Sequence, residues 1–509
     1  MSRIVAVVDV GSTAIRMVIA ELLTSGNWRT LDRAGKPVPL GRDVFVSGRI
    51  SRETMIQAIK ILNGFRELLD GWKINLKDVR IIATSAIREA RNRDTFIDRI
   101  FLRTGFKINP VEGIEENHLT YLAVQHALKG MKSQLSRSSS LIIEVGGGST
   151  EIMLLRRAKM VAAHSLRLGT VRMEQQLLPS SGLENNMEDV LRENMRGMKE
   201  ILDAELPLAR IKSFVAVGGD ARKAALEVGK KEQEHISIIQ KEDFIAFIDR
   251  IAEYSIDEIV QQLGISYHEA EGFLPALLIY KLFITATSAE ELIIPDVSIR
   301  EGMLITFALG SNEAVEKQFY TQVIASAVNL GRKFHFDEAH ARQVSHLSLT
   351  LFDQFQKEHG LDRHSRLILE AAAILHDIGT YVRTSGHHKH SQYLTANSEL
   401  FGFSRGDMRI LSNVVRYHRK ATPTGSHTNY ISLNREDRLK VLKLSAMLRI
   451  ADALDRGHVQ RVRSFTLETR EEDLILRCAS QGDLSIEKYG LALKSDMFEE
   501  VFGYHVVIE

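Results

Sequence analysis

Two short glycine turns carry residue types suited to phosphate chemistry: DVGST at Asp9 to Thr13 and EVGGGST at Glu144 to Thr150. Gly11 in the first and Gly146, Gly147 and Gly148 in the second have no Cβ, so backbone N–H groups there can approach an anion. The carboxylate at the mouth of each turn, Asp9 or Glu144, can hold a metal ion that bridges phosphate oxygens. A single turn of this composition is commonplace. Two turns with acidic mouths point to phosphoryl chemistry.

Such turns need rigid elements to hold them. Each follows an apolar run, IVAVV before Asp9 and LII before Glu144, which predicts a buried strand turning into a hairpin. IRMVIAEL continues the first hairpin, and the residues from Thr54 carry apolar side chains at helical spacing. VRIIATSAIREARN from Val79 reads as a strand entering a helix capped near Thr84 and Ser85, and a further helix is expected to begin near Glu115. SFVAVGGDARKAAL from Ser213 repeats the strand, glycine turn and helix pattern, as expected if the two halves arose by duplication. Beyond Gly302 the pattern is helical and histidine-rich, and from Arg463 apolar and polar residues alternate as in a small sheet.

Composition limits the function classes. A chain of 509 residues exceeds one core and is expected to form about three or four domains. A net charge of +1 gives no global field for a polyanion, which argues against a dedicated nucleic-acid binder. The one cysteine, Cys478, cannot form an internal disulfide and reads as a small buried hydrophobe. The apolar run at the N-terminus ends at Asp9, too short for a signal segment, and the run from Phe273 is shorter than the ~20 residues that span a bilayer. The expectation is a cytoplasmic protein without a membrane partner.

In order along the chain, DVGST, ATSAIREARN, VEGIEENHLTYLAV, IIEVGGGSTEI and RLGTV resemble the exopolyphosphatase and guanosine pentaphosphate phosphohydrolase family. The resemblance implies an α/β fold of two actin- and sugar-kinase-like (ribonuclease H-like) domains, residues 1–122 and 123–299. It also implies an all-α HD-like domain over 300–462 and a small β-containing domain over 463–509. The implied substrates are inorganic polyphosphate and guanosine pentaphosphate, the latter hydrolysed to the tetraphosphate, with Mg2+ as cofactor and a homodimer as the assembly. The second glutamate of GIEEN, Glu116, falls on the family's catalytic base, with Glu115 beside it, and Arg88 on the arginine that faces the phosphates. Ser12 and Thr13 would donate hydroxyl hydrogen bonds, and Gly146, Gly147, Gly148, Ser149 and Thr150 would cradle the terminal phosphate. Asp9, Glu144 and Glu151 fall on acidic metal-ligand positions.

Three residues depart from the family pattern. Glu144 stands where aspartate is usual and is longer by one methylene, about 1.5 Å, which would shift a magnesium ion or force it to be held through water. Thr13 and Ala14 replace the usual asparagine and serine of the first turn, and Asn117 replaces alanine after the base.

A second constellation follows the order of the HD phosphohydrolase fold: His346, then His376 with Asp377, then Asp452. Imidazole and carboxylate donors of this kind suit Mn, Fe or Zn. His387, His388, His390 and His418 are candidates to supplement the set, and Arg416, Arg419 and Lys420 could guide a polyanion or form a solvated face. The alternative is a degenerate HD fold in which His376 and Asp377 cap and pair with neighbouring helices. Three functions are therefore in contention. The leading one is a magnesium-dependent exopolyphosphatase acting through Glu116. The others are an HD-centred phosphohydrolase with a regulatory amino-terminal half, and a non-catalytic binder of polyphosphate or an alarmone.

Overall fold

The computed structural model describes residues 3–23, 27–131, 138–177, 187–309, 313–420, 422–480 and 482–509. They form two compact units, Met1–Glu316 and Lys317–Glu509. The boundaries expected near residues 122, 300 and 462 lie inside these units.

The first unit contains two sheets with the same core topology. In one, β1 (Arg3–Val10), β2 (Ala14–Leu22), β3 (Trp28–Pro37), β4 (Val79–Ala83) and β5 (Ile108–Pro110) lie in the order β3-β2-β1-β4-β5. The other holds β6 (Ser139–Val145), β7 (Thr150–Arg156), β8 (Lys159–Leu166), β9 (Ile211–Val217), β10 (Lys230–Gln233), β11 (Ile236–Gln240) and β12 (Glu291–Pro295) in the order β10-β11-β12-β9-β6-β7-β8. In both, an antiparallel three-strand meander is followed by parallel strands: β4 on β1 and β5 on β4, β9 on β6 and β12 on β9. This repeated order is what duplicated halves would produce.

Burial explains the unbroken apolar runs. Successive side chains of a strand point to opposite faces, and β1 feeds two separate cores. Ala6, Val8 and Val10 join the cluster under the helix Arg52–Gly71, whereas Val5 and Val7 pack with Leu304 of the helix Ile299–Leu309. A strand covered on both faces cannot afford alternation. The glycine turns therefore project from the ends of fixed strands.

The apolar run from Phe273 lies in the helix Tyr267–Thr285, capped by a reciprocal Ser266–Glu269 box and buried on nearly all sides despite Pro275. Among the described residues no helix is long and apolar enough to cross a membrane.

The second unit begins within the helix Glu313–Lys333 and is mainly helical, with the further long helices Glu338–Gln354, Arg363–Leu375, Arg405–Arg416 and Arg435–Ala453. It ends in a three-stranded sheet of β13 (Val462–Arg470), β14 (Asp473–Ser480) and β15 (His505–Ile508). The last segment is less purely β than its alternation suggests. Helices Ser485–Ala492 and Asp496–Phe502 separate β14 from β15, and Asp496 pairs with Arg449 of the helix Arg435–Ala453 at 3.1 Å. Cys478 sits half-buried in β14, where burial pushes its thiol up to about 11, away from thiolate chemistry.

Candidate active site

A cleft of about 720 Å³ in the first unit is lined by Asp9, Gly11, Ser12 and Thr13 from one turn and by Glu144, Gly146, Gly147 and Ser149 from the other. Both expected phosphate turns thus open into one space. Gly11 N–H donates to the Ala14 carbonyl at 3.0 Å and Gly146 N–H to the Ser149 carbonyl at 2.9 Å, closing each turn tightly. Ser12 Oγ and Ser85 Oγ lie 3.1 Å apart, linking the first turn to the start of the short helix Ser85–Glu89. The third glycine turn contributes as well: Gly218, Gly219 and Asp220, after β9, line the same cleft.

The helix Gly113–Ala127 divides the work of its paired glutamates. The Glu115 carboxylate accepts from Glu112 N–H at 2.9 Å and completes a capping box, so Glu115 is structural. One position on, Glu116 reaches the cleft and is 8% exposed. Arg88 donates to Glu116 and, at 2.6 Å, to the Val111 carbonyl. Arg88 therefore engages the expected base and does not line the cleft, where the arginines are Arg16, Arg222 and Arg300. Burial pushes Glu116 up to about 7 against the opposing pull of Arg88. That places a carboxyl near the ideal pKa for general-base work at neutral pH.

Acidic groups crowd the floor. Glu144 and Glu151 are directly opposed residues of the β6–β7 ladder, a position where like charges repel. Burial raises Asp9 and Glu144 above the usual carboxylate range, and burial together with the nearby Glu116 raises Glu151 further. Neighbours satisfy part of this demand. Thr120 donates to Glu144, while Asn117 and Ser165 donate to the two oxygens of Glu151 at 3.0 and 2.8 Å. Asp9 Oδ1 is buried without any hydrogen-bond partner.

The expected magnesium trio does not converge. Among the described residues, the sets that bring three ligand atoms within 4.8 Å of one another are His340, His376 and Asp377, and Asp377, His387 and His418; Asp9, Glu144 and Glu151 are not such a set. The hydrogen bonds give the reason. The longer Glu144 side chain is drawn to Thr120, and Glu151 is held by Asn117 and Ser165. A magnesium ion nevertheless fits, because it usually takes one or two carboxylates and completes its shell with water and substrate phosphates. The orphaned oxygen of Asp9 is the natural first ligand.

One consequence concerns stability. The folded-state pKa of Glu151 lies above its unfolded value, so its neutral form stabilises the fold at low pH and that contribution is lost as pH rises through the folded value. In EDTA, the melting temperature of Glu151→Gln relative to wild type is expected to rise between pH 5 and pH 8. A difference that is flat or falls with pH would show that Glu151 is not a strained buried carboxyl.

The second unit corrects one expected ligand. His346 is exposed, whereas His340, on the same helix Glu338–Gln354, is buried beside His376 and Asp452. Six residues at 100° each rotate a side chain by about 120° away from its starting face, so the two histidines cannot share a site. His376, Asp377 and Asp452 do come together, joined by His387 and His418. His390 shows no part in this cluster.

The sequence assigns no role to several residues that line or support the cleft. Arg300 and Asp220 follow the parallel strands β12 and β9, and the carboxyl ends of such strands are where ligands bind; that rule could have found them. Asn117, Thr120, Ser165 and Arg172 carry no such signal, because they act by holding Glu151, Glu144 and the Gly148 carbonyl.

Comparison with known proteins decides the family. The model of the Ppx/GppA phosphatase family matches residues 18–310, and that of Ppx/GppA phosphatase, domain III, matches residues 324–488. The chain belongs to the Ppx/GppA phosphatase family. Among similar proteins is a guanosine-5'-triphosphate,3'-diphosphate pyrophosphatase of Photobacterium profundum, 24% identical over 94% of this chain and 92% of its own. Another of the same name, from Pseudoalteromonas translucida, is 24% identical over 83% of this chain and 82% of its own. An exopolyphosphatase structure from Cytophaga hutchinsonii shares the fold, with a TM-score of 0.55 at 20% identity over 60% of this chain and 98% of that one. This Ppx/GppA phosphatase is thus an enzyme of phosphoric-anhydride hydrolysis, and its mixed α/β first unit has the fold of that family.

Proposed function

We propose that the cleft removes the terminal orthophosphate from inorganic polyphosphate and, at the same site, from guanosine pentaphosphate. The observation that carries this reading is a buried carboxyl poised near neutrality, Glu116, in one cleft with both glycine turns and the unpartnered oxygen of Asp9. Polyphosphate and guanosine pentaphosphate present the same triphosphate-like end to such a site. Arg16, Lys36, Arg222 and Arg300 line the cleft and offer positive charge to the remaining phosphates.

Glu116 accepts the proton of the attacking water as oxygen meets the terminal phosphorus and the anhydride bond opposite breaks. Arg88 orients Glu116 and favours its ionised form. Backbone N–H groups of the two turns, with Ser12, Thr13 and Ser149, would hold the equatorial oxygens, whereas the buried Thr150 hydroxyl donates to the Leu168 carbonyl at 2.6 Å. Asp9, Glu144 and Glu151 are the residues that would hold magnesium, which would supply charge neutralisation at the phosphates. Helices bearing His376, Asp377 and Asp452 support reading the second unit as HD-like with a transition metal.

The test is orthophosphate release from long-chain polyphosphate and from guanosine pentaphosphate, with magnesium and with EDTA. Release from either substrate that requires magnesium and falls at least 100-fold in Asp9→Asn is expected. Tight polyphosphate binding without release would support a binding protein instead.

A further inference from the structure

The second unit gathers imidazoles whose tautomers are already set. Nδ1 of His376, His418 and His387 lies 2.8, 2.7 and 2.9 Å from the carbonyl oxygens of Ala373, Val415 and Thr384. A carbonyl only accepts, so each Nδ1 carries a proton, and in its neutral form each ring presents Nε2 as a bare lone pair. Yet His387 Nε2 and His418 Nε2 are 3.3 Å apart, and so are His376 Nε2 and His340 Nε2. Facing lone pairs at that separation need a cation or a proton between them. His340 Nδ1 meets the buried Asp455 carboxylate at 2.8 Å, the arrangement that orients histidine ligands of metals.

Asp377 lies between the two pairs. Its Oδ1 is 3.1 Å from His387 Nε2 and 3.3 Å from His418 Nε2, and its Oδ2 is 3.7 Å from His376 Nε2. Oδ1 is shielded from solvent and makes no hydrogen bond. Asp452 turns Oδ1 toward His340 and His376, at 3.6 and 4.0 Å, while Lys494 occupies its other oxygen. The result is two donor sets sharing one carboxylate. Next to the second set, Arg416 has a buried Nη1 with no partner, and its charge and that of Lys420 act on His388, whose ring neighbours His387 at 5.9 Å. A guanidinium edge left open beside a cation site suits a phosphate oxygen.

We propose that this unit is a second hydrolytic centre holding two transition-metal ions, one among His340, His376, Asp377 and Asp452, the other among His387, His418 and Asp377, and that it cleaves phosphate esters. A shared carboxylate and imidazole donors suit a pair of Mn, Fe or Zn ions. Water attacks phosphorus, the bond from phosphorus to the leaving oxygen breaks, and the proton lost by water passes to that oxygen, giving an alcohol and phosphate. Arg416 binds a non-bridging oxygen. This centre is independent of the Glu116 cleft.

The test uses the full chain, stripped with EDTA, reloaded with Mn2+ and desalted before metal analysis. Wild type and His346→Ala are expected to retain about two ions per chain, His418→Ala about one, and the isosteric Asp377→Asn none. Circular dichroism verifies that the variants are folded. With p-nitrophenyl phosphate and bis(p-nitrophenyl) phosphate as probes, Asp377→Asn is expected to lose activity at least 100-fold and His346→Ala to keep it. If wild type retains no more Mn2+, Fe2+ or Zn2+ than Asp377→Asn, the imidazoles share protons and the proposal is overturned. Two bound ions with neither probe hydrolysed would overturn its catalytic half.

Discussion

Glu116→Gln is expected to lower kcat for orthophosphate release roughly 10³-fold, the scale of a lost general base, with little change in KM or melting temperature. The amide keeps the size of the side chain and can still meet Arg88, but it cannot take a proton from water. The wild-type pH profile carries the same signature. Because burial pushes Glu116 up to about 7, a base at this position is protonated and inactive below that value and ionised above it, so kcat/KM is expected to rise with pH through an apparent pKa near 7. Loss of that limb in Glu116→Gln ties it to this residue. An unchanged limb with full activity would remove Glu116 from the chemistry.

Gly169→Ala is expected to lower kcat/KM by about 100-fold, the cost of misplacing a reacting group by roughly 1 Å. A Cβ on Gly169 would lie 2.5 Å from the Gly147 carbonyl carbon and oxygen and 2.6 Å from Gly148 N. These are backbone atoms of the second phosphate turn, with no flexible end that could yield. The segment behind the turn is also tied to it: Thr170 N–H donates to Gly146 and Val171 N–H to Gly147, and Arg172 donates to the Gly148 carbonyl at 2.7 Å. A shift at Gly169 therefore travels directly to the residues proposed to hold phosphate. Gly197→Ala is the control, since it sits exposed in the helix Met187–Glu205 with nothing near its Cβ position. There alanine is expected to raise stability by roughly 1 kcal/mol and leave activity unchanged. Equal activity in Gly169→Ala would mean that the turn's geometry is not critical.

What the sequence makes legible follows from which features are local. Strand ends and glycine turns are local, so Asp9, Gly11 and Gly146 to Gly148 can be located by apolar runs that stop abruptly. Glu116 needs more, because a glutamate pair at a helix start favours the helix in either case; only the fold shows Glu115 capping and Glu116 turned into the cleft. Residues that act by holding another side chain leave no pattern. Asn117 reads as a departure from the family motif, yet it donates to Glu151 at 3.0 Å and to the His164 carbonyl at 3.3 Å, which explains an amide at that position. His346 was the wrong histidine of its helix for a similar reason: motif order along the chain carries no information about which face points inward, whereas burial of His340 does.

The central claim is that water, placed by Glu116, attacks the terminal phosphorus within the first unit's cleft. Hydrolysis of polyphosphate or guanosine pentaphosphate in 18O-labelled water, with mass analysis of both products, tests it most directly. The account predicts label in the released orthophosphate, none in the shortened product, and no labelled orthophosphate above background with Glu116→Gln. Label in the shortened product would place the attack at another phosphorus and contradict the assignment.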